Sequence, residues 1–113
     1  MEIFDFLLSR EKYFRNYPTY ARILKENAKM ILKDKKVRVL VFGSVVENDF
    51  TLSSDVDVLV ISDKLPRKGL KRAKILSRLY NSIGEAHPFE IHLITKEDWK
   101  IWYRRFVKKF FEA

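Results

Sequence analysis

The chain has 113 residues, a formal net charge of +8, 47% hydrophobic and 14% aromatic residues, and no cysteine. This length holds one domain with a buried core, and the missing thiols exclude a disulfide scaffold, a thiolate zinc site and a cysteine nucleophile. No apolar run reaches the ~18 residues of a membrane span, and the positive charge suits polyanions: nucleotides, nucleic acid or an acidic protein.

Met1 to Arg10 lacks a basic leader and a small-residue cleavage site, so the expected location is the cytoplasm. Ile3, Phe4, Leu7 and Leu8 predict a short helix with Glu11 and Lys12 outside, an N-terminal extension over 1–17. Pro18 then opens an amphipathic helix over 18–34, on Tyr20, Ile23, Leu24, Ala28, Ile31 and Leu32. Lys36 to Phe42 is β-branched and nearly all apolar after Arg38, as in a strand covered on both faces. Gly43 ends it, and a short helix after Ser44 would offer free N–H groups to an anion.

Asp55 to Ile61 predicts a second strand, and Pro66 begins a helix that Gly84 stops. The basic residues Lys64, Arg67, Lys68, Lys71, Arg72, Lys74 and Arg78 read as its solvated face. Phe89 to Ile94 is a third strand, and Thr95 caps a last helix, with Asp98 at its third position, running from Lys96 to about Phe111. The order is α-β-β-α-β-α: an α/β (α+β) fold with a small mixed sheet of about three strands and helices packed on it, one domain over 1–113 with a C-terminal helix over 96–113. Glutamine is absent while Lys, Arg and Glu abound, the composition of a protein from a hot habitat.

Alternation in the second strand turns Asp55, Asp57, Leu59 and Ile61 to one face and Val56, Val58 and Val60 to the other. Two carboxylates about 6–7 Å apart repel each other, and a hard divalent cation, Mg²⁺ or Mn²⁺, removes the conflict. Gly43-Ser44 lies eleven residues before Asp55, where a glycine lets backbone approach a phosphate. Glu90 faces away from Phe89, Ile91 and Leu93, beside His92, and an acid in so apolar a strand needs an explanation. His92 could orient Glu90, though a histidine beside an acid is more often structural; His87 suggests nothing by itself. Ser54 reads first as a turn or cap residue and second as a phosphate ligand.

Val41-Phe42-Gly43-Ser44, ten intervening residues, then Asp55-Val56-Asp57-Val58-Leu59-Val60 resembles the polymerase-β-like nucleotidyltransferase superfamily, above all its minimal nucleotidyltransferase (MNT) branch. The resemblance implies a two-metal transfer of a nucleoside monophosphate, AMP from ATP in the first instance, to a hydroxyl. It implies two Mg²⁺ ions, with Mn²⁺ as a substitute, on Asp55, Asp57 and Glu90. Gly43, Ser44 and Ser54 would hold the nucleotide. It also implies a partner: small members act as antitoxins to a helical HEPN ribonuclease, and some modify a tyrosine on it. At 113 residues no separate tRNA- or drug-binding domain is expected, which argues against acceptors that need one.

Two positions depart from the family pattern. Glu47 and Asn48 stand where many members carry Arg-Gly, and the third acid is Glu where Asp is commoner. Asn48 can adopt the left-handed backbone of a glycine. Glu47 opposes a triphosphate, and Lys68 or a neighbour is a candidate to supply the lost contact. Glu47 also supports the alternative of a catalytically weak binding module that neutralises its partner by contact. The stripe Trp99, Trp102, Tyr103, Phe106 and Phe110, with Ile101 and Phe111 off it, predicts a homodimer or a heteromeric complex through 99–111, with nucleic acid ranked lower.

Overall fold

In the computed structural model, which describes residues 2–84 and 87–113, four strands form one mixed sheet in the order β3-β2-β1-β4. β1 (Arg38–Phe42) runs antiparallel to β2 (Val56–Ile61) and to β4 (Phe110–Glu112); β2 and β3 (Phe89–Ile94) are parallel. The helices are α1 (Ile3–Arg15), α2 (Tyr17–Leu32), α3 (Gly69–Asn81) and α4 (Lys96–Ile101), followed by a 3-10 turn at Tyr103–Arg105. No helix among the described residues is long and apolar enough to cross a membrane.

The side-chain alternation read from β2 decides where the core lies. Val56, Val58 and Val60 join Val39, Val41, Phe89 and Ile91 on the face covered by α1, α2 and α3, through Tyr13, Phe14, Ala21, Leu24, Ala28 and Leu79. Leu59 and Ile61 face the other way, into a smaller cluster with Leu40, Ile94, Trp99 and Val107. Asp57 belongs to that second face by the period of two. The C-terminal segment covers only part of it, and the acids lie on the open part. Ile61 pairs with Ile94 at one end of the parallel ladder and Asp57 with Glu90 near the other.

The expected C-terminal helix over 96–113 is not what forms. Thr95 and Asp98 do make a reciprocal capping box, but α4 ends at Ile101. The β1 edge explains the change. Left alone it would expose unpaired backbone groups. Phe110–Glu112 pairs with it instead, making the fourth strand, and the Arg38 guanidinium holds Glu112 through two 2.8 Å contacts. Alternation then splits the predicted aromatic stripe. Phe110 meets Trp99 edge-on, whereas Phe111 lies on the other face against Tyr17 and under Arg22. Phe111 is therefore part of the core rim and not a free apolar face.

Two further expectations change. α1 continues to Arg15, and it docks through Arg10, Tyr13 and Phe14 while Ile3, Phe4 and Leu8 stay exposed. No helix follows Ser44. The chain makes a turn in which the Val46 and Glu47 N–H groups donate to the Gly43 carbonyl and the Asp49 N–H to that of Ser44. Those amides are already satisfied, and Asn48 closes the turn with φ 57°, the left-handed conformation foreseen for it.

Candidate active site

The parallel register sets Asp57 directly opposite Glu90. His92, two residues further along β3, shares the face of Glu90 because side chains alternate. Ligand atoms of Asp57, Glu90 and His92 all lie within 4.8 Å of one another. The His92 Nε2 is 4.0 Å from the Asp57 Oδ1 and 3.9 Å from the Glu90 Oε1. Burial raises the Asp57 pKa above the usual carboxylate value, the negative charge of Glu90 adds to this, His92 opposes it, and Asp55 adds a smaller push.

Gly43 is built against this group. Its φ is 88°, and a Cβ there would come within 2.6 Å of the Asp57 Oδ2. Both the backbone conformation and the space demand glycine. The cradle brings main chain against a carboxylate whose charge is costly at that spot. Oxygen donors plus one imidazole nitrogen, crowded together and only partly solvated, are a donor set that a divalent cation fits.

Asp55 sits one residue before β2, with its side chain 62% exposed and outside the tight cluster. The Arg10 guanidinium of α1 lies 3.9 Å from it and donates a 2.9 Å hydrogen bond to the Ser54 carbonyl. The Ser54 hydroxyl accepts from the Thr51 N–H, closing the turn before the acids, which is its turn role. Ser44 follows Gly43 in the turn beside the cluster. Lys68 stands at the N-terminal cap of α3, past the far end of β2 and away from Gly43. A cleft of about 200 Å³ next to Gly43 is lined instead by Phe42, Glu47, Phe106, Val107, Lys108 and Lys109.

The structure thus brings Asp57, Glu90 and Gly43 together and leaves Asp55 at the edge. It adds Arg10, Lys108 and Lys109, three cationic positions given no site role in the sequence, and it sets His92, read there as more often structural, among the acids. His92 carried a signal, its spacing of two from Glu90 on a strand. Lys108 and Lys109 were hidden by the helix expected there. Arg10 had no local signal, since its partner Ser54 is 44 positions away.

A mixed sheet with a glycine turn at the end of one strand and acids on the next two strands to one side of it is the framework of a nucleotidyltransferase domain. The family's sequence model, Nucleotidyltransferase domain, matches residues 20–111, and the chain belongs to this family of transferases. It is similar to a Methanocaldococcus jannaschii protein named as a candidate protein adenylyltransferase, with 43% identity over 56 residues. That stretch is 48% of this chain and spans 57% of the relative's length. A crystal structure described as a candidate nucleotidyltransferase superposes with a TM-score of 0.60 at 29% identity, covering 79% of this chain and 91% of that one. A second, from Sulfolobus solfataricus, has a TM-score of 0.51 at 18% identity over 83% of this chain and 78% of its own, a likeness of fold alone.

Proposed function

We propose that residues 1–113 act as one catalytic domain that moves AMP from ATP to a hydroxyl on a partner protein. The observation that carries this is the Asp57–Glu90 pair, set in register across β2 and β3 and backed by Gly43. The relative's name supports the choice of transferred group and acceptor, because it specifies adenylyl transfer to protein.

In this reading Asp55, Asp57 and Glu90 would hold two divalent ions, Mg²⁺ or Mn²⁺ in the family pattern. Bound there, they would offset the charge of the triphosphate and favour loss of the acceptor's proton. The Gly43 backbone and the Ser44 hydroxyl hold the phosphates. Lys108 and Lys109, across the cleft, offset Glu47 and supply the positive charge that an arginine gives elsewhere in the family. The acceptor hydroxyl attacks the α-phosphorus, the bond to pyrophosphate breaks, and the hydroxyl gives up its proton. A HEPN-type helical protein is the proposed acceptor and partner, with the exposed Ile101, Trp102 and Phe106 as the contact.

One observation favours a second reading, a binding module with little chemistry: Glu47 lines the cleft beside Gly43 and repels phosphate. The test is incubation with α-labelled ATP, Mg²⁺ and the product of the neighbouring gene, followed by intact-mass measurement. Addition of AMP to the partner supports the transferase reading. A stable complex without label, and no heat of binding with a non-hydrolysable ATP analogue, selects the binding module.

A further inference from the structure

We propose that His92 is a protein ligand of the cation held by Asp57 and Glu90. It makes that position prefer a transition-series divalent ion such as Mn²⁺ or Co²⁺ to Mg²⁺. The inference rests on the metal-dependent reading above and concerns which ion the site takes.

Three observations lead to it. First, the spacing suits a shared ion. Donors about 2.1 Å from one ion lie about 3–4.2 Å from each other. The His92 Nε2 is 3.9 and 4.0 Å from the two carboxylate oxygens. Those separations are too long for direct hydrogen bonds. The imidazole is thus aimed at the two acids without being bonded to either.

Second, the tight cluster is not the all-oxygen set. It contains His92 in place of Asp55, which stands outside it with the Arg10 guanidinium 3.9 Å away. A positive group there opposes a cation drawn toward Asp55 alone, and leaves the Asp57–Glu90–His92 side as the stronger position.

Third, the backbone presents His92 firmly. It lies inside the β2–β3 ladder opposite Leu59, half-buried beside the Phe42 ring, whose centroid is 6.4 Å away. A ligand on a paired strand needs little ordering when an ion arrives. Imidazole nitrogen binds later first-row ions well, following the Irving–Williams order, whereas Mg²⁺ is selected by oxygen and keeps its waters.

The test uses the full chain. Calorimetry with Co²⁺ and with Mg²⁺, without nucleotide, compares wild type, His92→Gln and Asp57→Asn. Electron spin echo spectra of the Mn²⁺-loaded protein report a nitrogen ligand directly. Wild type should bind Co²⁺ more tightly than Mg²⁺. His92→Gln should lose about 10–100-fold in Co²⁺ affinity. Its Mg²⁺ affinity should hardly move, and the nitrogen modulation should vanish. His87→Gln, the control at the other histidine, should keep the modulation, and circular dichroism checks that each variant folds. If His92→Gln keeps both the Co²⁺ affinity and the nitrogen signal while Asp57→Asn loses the metal, the His92 proposal is overturned and the metal-dependent reading stands. If wild type binds no divalent ion, with or without ATP, both fall.

Discussion

The Arg10 guanidinium, carried on α1, reaches the Ser54 carbonyl at 2.9 Å and stands 3.9 Å from the Asp55 carboxylate. α1 precedes the stretch 20–111 that matches the family, yet it pins the turn leading into the acids. The residue is 9% exposed, with its guanidinium over the rings of Phe6 and Phe14. Arg10→Ala leaves the Ser54 carbonyl without this donor and removes the contact with both rings. Urea unfolding should show a loss of about 2 kcal/mol, and Arg10→Lys should recover only part of it. A change within about 0.5 kcal/mol for Arg10→Ala would show that α1 does not hold the turn.

Asp57 carries a stability penalty with a definite pH dependence. Its pKa in the folded protein is raised, chiefly by burial and next by Glu90. The folded state therefore holds the proton more tightly than the unfolded chain. No penalty exists below the usual carboxylate value; it grows as pH rises through that value and is complete above the raised one. Asp57→Asn should melt higher than wild type at neutral pH without metal, and the difference should close in acid. The double variant Asp55→Asn with Asp57→Asn should also lose Mg²⁺-ATP binding by calorimetry. A variant that melts lower at pH 7 would contradict the penalty.

Glu90 has the more exposed carboxylate of the pair, 53% against 30%. The family resemblance gives this third acid the ion that would face the attacking hydroxyl, so we propose that it serves the hydroxyl more than the triphosphate. Glu90→Gln should lower the transfer rate about a hundredfold or more, while nucleotide affinity changes little. Loss of neither would make Glu90 a solvated acid on the edge strand β3, and equal loss of both would make it a ligand of the triphosphate's own ion.

Gly43 admits no side chain. Gly43→Ala would force a residue to φ 88° and drive its Cβ toward the Asp57 carboxylate. The backbone term alone costs about 1–3 kcal/mol. The alanine protein should melt lower and bind nucleotide more weakly. Adding Asp57→Asn should relieve the contact and the charge penalty but leave a deficit, because the conformation of residue 43 remains strained.

The C-terminal segment offers two classes of aromatic residue. Trp102 and Phe106 are 58% and 59% exposed, whereas Phe111 packs on Tyr17 from β4. Replacing Trp102 and Phe106 with serine should weaken self-association or partner binding in sedimentation and leave the melting temperature nearly unchanged. Phe111→Ser should lower the melting temperature and spare association. A clean monomer for wild type at high micromolar concentration, alone and with the neighbouring gene product, would remove the interface.

The strand signals were local and therefore legible. Val56-Asp57-Val58-Leu59-Val60-Ile61 alternates between two faces, and that period alone placed Asp57 opposite the valines that enter the main core. Phe89–Ile94 was bounded correctly because its β-branched and aromatic run is flanked by Pro88 and the Thr95 cap. Spacing also brought Gly43 and the acids under one expectation. The C-terminal region could not be read this way. Trp99 to Phe111 has helical spacing, but the open edge of β1 demands a partner, and backbone pairing with Phe110–Glu112 outweighs a weak helical preference in aromatic and β-branched residues. The proximity of Arg10 to Ser54, of His92 to Asp57 and of Lys108 to Gly43 likewise came only with the tertiary structure. Each joins segments distant along the chain, and no periodicity within one segment encodes which distant element will pack against it.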